Sequence, residues 1–244
     1  PHAVDGTKHY RFKVRWGVET DTDDSEGKPV HSSDARPERA AIEDALETFR
    51  GEIMQTPPRY SAIKIEGERA YDLAREGEDF EIAARPVTVN RLDIVECGSQ
   101  DECVFEAECG KGTYVRALAR DLGRMLGCYG HVIELRRTGV GPFQEENSVT
   151  LDELEAAAAL EENSREALMA HIMPVQTALD GIPALVIDTS DASMLRRGKS
   201  IILRGRDAPI HKGMIYATTR GKLVALGEVS KGELKPSRVF NIPL

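Results

Sequence analysis

The run CGKGTYVRALARDLG, Cys109 to Gly123, constrains this chain more than any other stretch. Gly110 and Gly112 let the backbone turn tightly as it leaves an apolar strand ending near Ala107, and Thr113 can cap the helix that follows through its hydroxyl. Val115, Leu118, Ala119, Leu122, Met125 and Leu126 recur at helical spacing and define one buried face. Arg116 and Arg120 then share another face. An arginine in the first turn of such a helix is either a surface charge or the partner of a carboxylate. Taken alone, the spacing favours the surface.

Around this run the chain reads as two domains, 1–181 and 182–244. Tyr10, Phe12, Val14 and Trp16 alternate with Arg11, Lys13 and Arg15, the period of a half-buried strand. Ile42, Ala45, Leu46 and Phe49 mark a helix that stops at Gly51. Strands at Val87 to Cys97 and Cys103 to Cys109 flank the polar turn GSQDE, and a further strand runs from His131 to Arg137. Hairpin-linked strands with interspersed helices give an α+β class with a mixed, mainly antiparallel sheet. Leu151 to Leu179 reads as helical with a break near Asn163 and Ser164, and after Ile182 the pattern shifts to the short strands and glycine turns of a small β-barrel.

A length of 244 residues, with 41% apolar and 30% charged residues, suits a protein that folds in water around a sizeable core. No apolar run approaches the ~20 residues of a membrane span, and no signal peptide is visible. Cys97, Cys103, Cys109 and Cys128 lack metal-ligand spacing, so buried free thiols in a reducing compartment fit best; a Cys97 to Cys103 bridge across a hairpin is the alternative. The formal charge of −9 argues at first against a nucleic-acid partner. Its distribution reverses that impression. Residues 144–166 carry eight acids and one base, a solvated face, whereas 196–222 carry eight bases and one acid and 109–137 six bases and two acids.

The run HVIELRRTGVGPF (His131 to Phe143), read with CGKGTYVRALARDLG, resembles the TruB-type tRNA pseudouridine synthases. So do KHYRFKVRWGVETDTDDSEG (Lys8 to Gly27), QTPPRYSAIKIEGERAYDLAREG (Gln55 to Gly77), ARPVTV (Ala84 to Val89) and GKLVALGEVSKGELKPSRVFN (Gly221 to Asn241), in the family's order. The family's nucleophilic aspartate lies in a block like G-H-x-G-x-L-D-P-x-A. No such block occurs here, and the chain opens on Pro1, so a fragment that begins after the catalytic motif, inactive by itself, is expected.

The resemblance implies isomerisation of the T-loop uridine of tRNA to pseudouridine by a cytoplasmic monomer that needs no cofactor. A non-catalytic tRNA-binding or folding protein using the same surface is the alternative. Tyr10 would be the aromatic platform for the flipped base and help move the proton on C5; strand period alone makes it a core-edge tyrosine. Arg116 would pair with the nucleophilic aspartate, and without that block it should lack its main counterion. Tyr114 and Leu135 would pack around the base or simply fill space, and Arg136 and Arg137 alternate on a strand, so at most one faces the pocket. The insertion at about 57–85 would be a thumb gripping RNA, with Arg59, Tyr60, Lys64 and Arg69 as contacts. The tail resembles an RNA-binding PUA domain, offering Arg196, Arg197, Lys199 and Arg204 to phosphates. The acid run ETDTDDSEG is no calcium loop: Glu26 replaces the glycine required at the sixth position from Asp21, and Ser32 stands at the twelfth.

Overall fold

Alternation in the first strand, β1 (Lys8–Trp16), decides the architecture: Phe12, Val14 and Trp16 are buried, while Arg11, Lys13 and Arg15 face the other way. The computed structural model describes residues 5–65, 67–203 and 212–241, and the chain separates into two compact units, Pro1–Ser148 and Val149–Leu244.

In the first unit, β1 is followed by a ribbon of β2 (Val18–Thr20) and β3 (Pro29–Ser32), helix α1 (Arg39–Leu46), and β4 (Gly51–Gln55). A small hairpin, β5 (Lys64–Ile65) with β6 (Glu68–Arg69), leads into α2 (Ala70–Glu76). Then come β7 (Arg85–Glu96), β8 (Glu102–Cys109), α3 (Val115–Met125), β9 (Gly130–Val140) and β10 (Phe143–Gln144). Six strands form one antiparallel sheet in the order β10-β9-β1-β8-β7-β4. On its buried face Phe12 stacks on Phe105 with ring centroids 5.4 Å apart, and Trp16 meets Phe105 edge-on at 6.1 Å. Ile42 and Leu46 of α1, and Val115, Leu118, Ala119 and Leu122 of α3, complete that core. On the opposite face Arg11, Lys13 and Arg15 pair with Glu106, Glu134 and Glu102. Those ion pairs are solvent-exposed and contribute little; apolar burial holds the sheet.

Three details of the expected layout change. The hydroxyl of Thr113 does not cap α3; it donates to the Thr88 carbonyl at 3.4 Å, and Tyr114 is the N-cap residue. Met125, in the last turn of α3, is exposed rather than part of the buried face. Cys97 and Cys103 are joined in a disulfide, since the β7–β8 hairpin brings their Cα atoms to 4.1 Å, and only Cys109 and Cys128 are free buried thiols among the described residues. The turn before α3 does depend on glycine: Gly112 has φ +87°. At the other end of the helix, a Cβ on Gly123 would lie 2.4 Å from the Gly130 nitrogen, so glycine lets β9 start directly against α3.

The second unit holds α4 (Leu151–Ala158), capped by a reciprocal Thr150–Glu153 box, and α5 (Ser164–Ala170), set off by Asn163 at φ 63°. Its strands are β11 (Ala184–Val186), β12 (Ile201–Ile202), β13 (Gly213–Thr219), β14 (Lys222–Ser230) and β15 (Glu233–Val239), with α6 (Thr189–Arg196) between β11 and β12. They form a sheet in the order β11-β13-β14-β15-β12, parallel only between β11 and β13. Ala192 and Leu195 of α6 pack on Ile215, Ala217, Val224 and Val229. The small barrel expected from the sequence is thus, among the described residues, a five-stranded half-barrel whose edge strands β11 and β12 do not pair with each other. No described helix is long and apolar enough to cross a membrane.

Phe105, fully buried between Phe12 and Trp16, is the ring on which the first core closes. Phe105→Ala should cost about 3–5 kcal/mol in urea unfolding monitored by the fluorescence of Trp16. A loss below about 1 kcal/mol would show that the two sheet halves do not depend on that ring.

Candidate active site

Helix α3 carries Arg116, Arg120 and Arg124 at steps of four, which stacks their guanidinium groups along one face. Opposite them, β2 and its following turn supply Glu19, Asp23 and Asp24. Arg124 binds Glu19 through two parallel hydrogen bonds of 2.8 and 2.6 Å. Arg120 donates to Asp23 Oδ2 at 2.9 Å, to Asp121 at 2.8 Å and to the Thr56 carbonyl at 2.7 Å. Arg116 donates through Nη1 to Asp24 Oδ2 at 2.8 Å and the Thr22 carbonyl at 2.9 Å, and through Nη2 to the Tyr60 carbonyl at 2.9 Å.

The acid-bearing turn is itself locked. Thr20 Oγ1 donates to the Asp24 carbonyl at 2.7 Å, Thr22 Oγ1 to Asp24 Oδ1 at 2.6 Å, and the Lys28 amide to Asp21 Oδ1 at 2.8 Å. Asp23 adopts a left-handed backbone, φ 63°, and its carbonyl accepts the Val132 amide of β9 at 3.1 Å. Glu19, Asp23 and Asp24 of the ETDTDDSEG run are therefore structural ligands of arginines about a hundred residues away. Arg116 does not lack a counterion, because Asp24 supplies one, and the pair is only about a fifth exposed on each side. Neither Asp24 nor Asp23 stands out in the sequence, yet three arginines at steps of four on a largely buried helix call for carboxylate partners.

Gln55, the last residue of β4, is buried at 1% exposure and faces the start of α3. Its Oε1 accepts the Tyr114 amide at 2.8 Å and its Nε2 donates to the Tyr114 carbonyl at 3.1 Å. The Tyr114 ring lies under the Arg85 guanidinium, 5.5 Å from its centroid.

Tyr10 belongs to a second group, on the sheet. Register places it opposite Arg137, with Phe12 opposite Leu135 and Arg11 opposite Arg136. Opposed residues share a face, so Tyr10, Arg137 and Leu135 lie together, and Leu135 is 49% exposed there. Arg136 turns away and pairs with Glu145. Burial pushes the Tyr10 phenol above its ordinary value, while Arg137 beside it pulls the other way.

In the insertion, Arg59 lies over the Phe80 ring at 4.7 Å and pairs with Asp79 at 3.6 Å, and Tyr60 meets Tyr71 edge-on at 6.2 Å. Lys64 and Arg69 are exposed and stand opposite each other in the hairpin, two like charges side by side. Arg196 ends α6, where Arg197 donates to Ser193 at 2.9 Å and Lys199 is exposed; Arg204 lies outside the described residues. Among the described residues no cluster of acids, histidines and cysteines is arranged to hold a metal.

The α+β fold, with its antiparallel sheet, is shared with solved structures. A chain of a Cbf5-Nop10-Gar1 complex superposes with a TM-score of 0.71 at 24% identity, over 97% of this chain and 68% of that one. A chain of an H/ACA RNP bound to a substrate RNA containing 2'-deoxyuridine does so at 0.71 and 22%, over 99% and 68%. The description "TruB family pseudouridylate synthase (N terminal domain)" matches residues 1–115, and "tRNA pseudouridylate synthase B C-terminal domain" matches 116–180. The chain is 55% identical to tRNA pseudouridine synthase B of Bradyrhizobium diazoefficiens over 99% of its own length and 70% of that relative's. It is 54% identical to the same-named proteins of Rhodopseudomonas palustris and Agrobacterium fabrum, spanning 66% and 77% of their lengths. The chain belongs to the TruB family of pseudouridylate synthases.

The buried pair Asp23–Arg120 gives a signature in stability. Burial raises the Asp23 carboxyl to about 6 from 3.8, outweighing the pull of Arg120. The folded state thus binds that proton more tightly than the unfolded state, so the contribution of Asp23 to stability is full below about pH 4 and is lost as pH rises through about 6. Asp23→Asn should flatten this part of the stability curve, measured by urea unfolding at half-unit steps. An unchanged slope between pH 4 and 6 would place the titration elsewhere.

Proposed function

We propose that this chain forms most of an enzyme that isomerises the T-loop uridine of tRNA to pseudouridine. The base leaves its stack, the C1′–N1 bond breaks, a C1′–C5 bond forms, and the proton from C5 ends on N1; nothing is gained or lost, so no cofactor is required. The observation that carries the reading is the Arg116 guanidinium, fixed by Asp24 and two backbone carbonyls. Those contacts use three of its five N–H donors, which leaves two to orient a further carboxylate. The nucleophilic aspartate would come from the family's G-H-x-G-x-L-D-P-x-A block, which residues 1–244 do not contain. Asp24 holds the arginine in place, and the incoming aspartate is held by the arginine.

Tyr10 is the platform for the flipped base, with Leu135 beside it and Arg137 placed to meet its phosphate or carbonyl oxygens. Tyr114 closes the pocket from the helix side. The insertion grips the T stem-loop through Arg59, Tyr60, Lys64 and Arg69; the opposed Lys64 and Arg69 favour a phosphate between them. Residues 182–244 form a PUA-like RNA-binding domain that adds Arg196, Arg197, Lys199 and Arg204, a boundary supported by the end of the family match at residue 180. The enzyme works as a cytoplasmic monomer.

The test joins the family's aspartate block upstream of residue 1 and follows single-turnover pseudouridine formation in a T stem-loop beside binding. The extended protein should convert the uridine and the 244-residue chain should only bind it. Tyr10→Phe should keep binding and lose most turnover, and Arg116→Lys should impair turnover more than binding because ammonium cannot form the bidentate pair. Near-normal rates for both variants would overturn the site assignment. Binding without turnover by the extended protein would favour a tRNA-binding or folding role.

For the tail, Arg197→Gln with Lys199→Gln should weaken tRNA binding and lower the salt slope by about 1 for each phosphate no longer neutralised, without changing which uridine is modified. An unchanged slope would leave those two charges no part in RNA binding.

A further inference from the structure

We infer that Gln55 is a positioning residue for the reaction: its side-chain amide fixes where α3 begins and so aims Tyr114 at the substrate and Arg116 at the incoming aspartate. This rests on the pseudouridine synthase reading for its catalytic half and on geometry alone for its structural half. Gln55 sits at 1% exposure, where a leucine would pack without a polar penalty. Instead one amide satisfies both backbone groups of a single residue, accepting the Tyr114 N–H at 2.8 Å and donating to the Tyr114 carbonyl at 3.1 Å.

The position of that residue gives the clamp its meaning. Tyr114 is the N-cap of α3, in an extended conformation with φ −107° and ψ 114°, and no side chain caps the helix. Its carbonyl also accepts the first helical bond, from Leu118 at 3.1 Å. The clamp therefore satisfies the N-cap amide and holds the helix start through both backbone groups of one residue. Arg116 follows two residues later, in the first turn. Its own partners, Asp24 and the carbonyls of Thr22 and Tyr60, fix the far end of the side chain. Gln55 fixes the near end.

Gln55 also ties β4 to the insertion. It pairs with Arg85 in the sheet, and the residues just after it, Thr56 and Tyr60, present their carbonyls to Arg120 and Arg116. The root of the insertion is thus bound to the first turns of α3 through Gln55, Thr56 and Tyr60, and of these three links only the Gln55 amide is made by a neutral side chain. Only a primary amide of this length offers one donor and one acceptor in that plane. Glutamate presents acceptors to both Tyr114 groups and repels the carbonyl; methionine keeps the volume and leaves both groups unpaired.

Two measurements test this on Gln55→Glu and Gln55→Met, at a temperature where both variants are folded by circular dichroism. In the 244-residue chain, hydrogen exchange at Tyr114 and through the first turn of α3 should accelerate about tenfold or more in both variants, with the sheet strands unchanged. In the protein extended with the aspartate block, the single-turnover rate should fall about 10- to 100-fold while stem-loop affinity stays within about twofold. Unchanged exchange at Tyr114 would overturn the clamp. Faster exchange with a normal rate would overturn the positioning role and leave a structural hydrogen bond. If the unsubstituted extended protein does not turn over, the functional reading fails separately, and the catalytic half of this inference falls with it.

Discussion

Three arginine–carboxylate pairs between α3 and β2 with its following turn organise the first unit. Arg116, Arg120 and Arg124 reach Asp24, Asp23 and Glu19 across some hundred residues of sequence, and the middle pair is almost fully buried. Such pairs are costly to desolvate, and they return stability only when every lone pair and proton is satisfied. Here Asp121 and the carbonyls of Thr56, Thr22 and Tyr60 accept further guanidinium protons of Arg120 and Arg116. An apolar ladder would hold a helix to a turn as firmly. What the ionic ladder adds is a guanidinium of fixed direction at its end, Arg116.

The sheet places the other half of the site by a different physical means. Antiparallel register puts Tyr10 opposite Arg137, and a register shift between His9 and Tyr10 determines which of the two adjacent arginines shares its face. Tyr10 packs on the edge of the core and stays partly exposed. Charge is separated along the chain in the same sense: the acidic stretch from Gln144 to Glu166 is largely exposed, while bases gather on α3, the insertion and the end of α6.

Much of this was legible in the sequence because it rests on local periodicity. The alternation from Tyr10 to Trp16 gave the central strand, the spacing from Val115 to Leu122 gave the buried face of α3, and Asn163 marked the break before α5. Resemblance of whole blocks gave the family. What stayed hidden depends on partners far apart in sequence. Asp23 and Asp24 look like turn acids until Arg120 and Arg116 are set against them, and Gln55 looks like an ordinary polar strand end until Tyr114 meets it. Thr113 has the chemistry of a cap, yet the N-cap is the next residue, Tyr114, whose backbone groups meet Gln55. Spacing left Cys97 and Cys103 open; the hairpin closes them into a disulfide.

If Arg116 is aimed by Asp24, the two must act as one unit in catalysis. The direct measurement is a double-mutant cycle of Asp24→Asn and Arg116→Lys on the single-turnover rate of pseudouridine formation, in the protein carrying the aspartate block. Residues that share one hydrogen-bonded pair should show a coupling energy of about 1–3 kcal/mol, so the double variant should lose far less than the product of the single losses. Strictly additive losses, with coupling below about 0.5 kcal/mol, would mean that Asp24 does not hold Arg116 for the reaction.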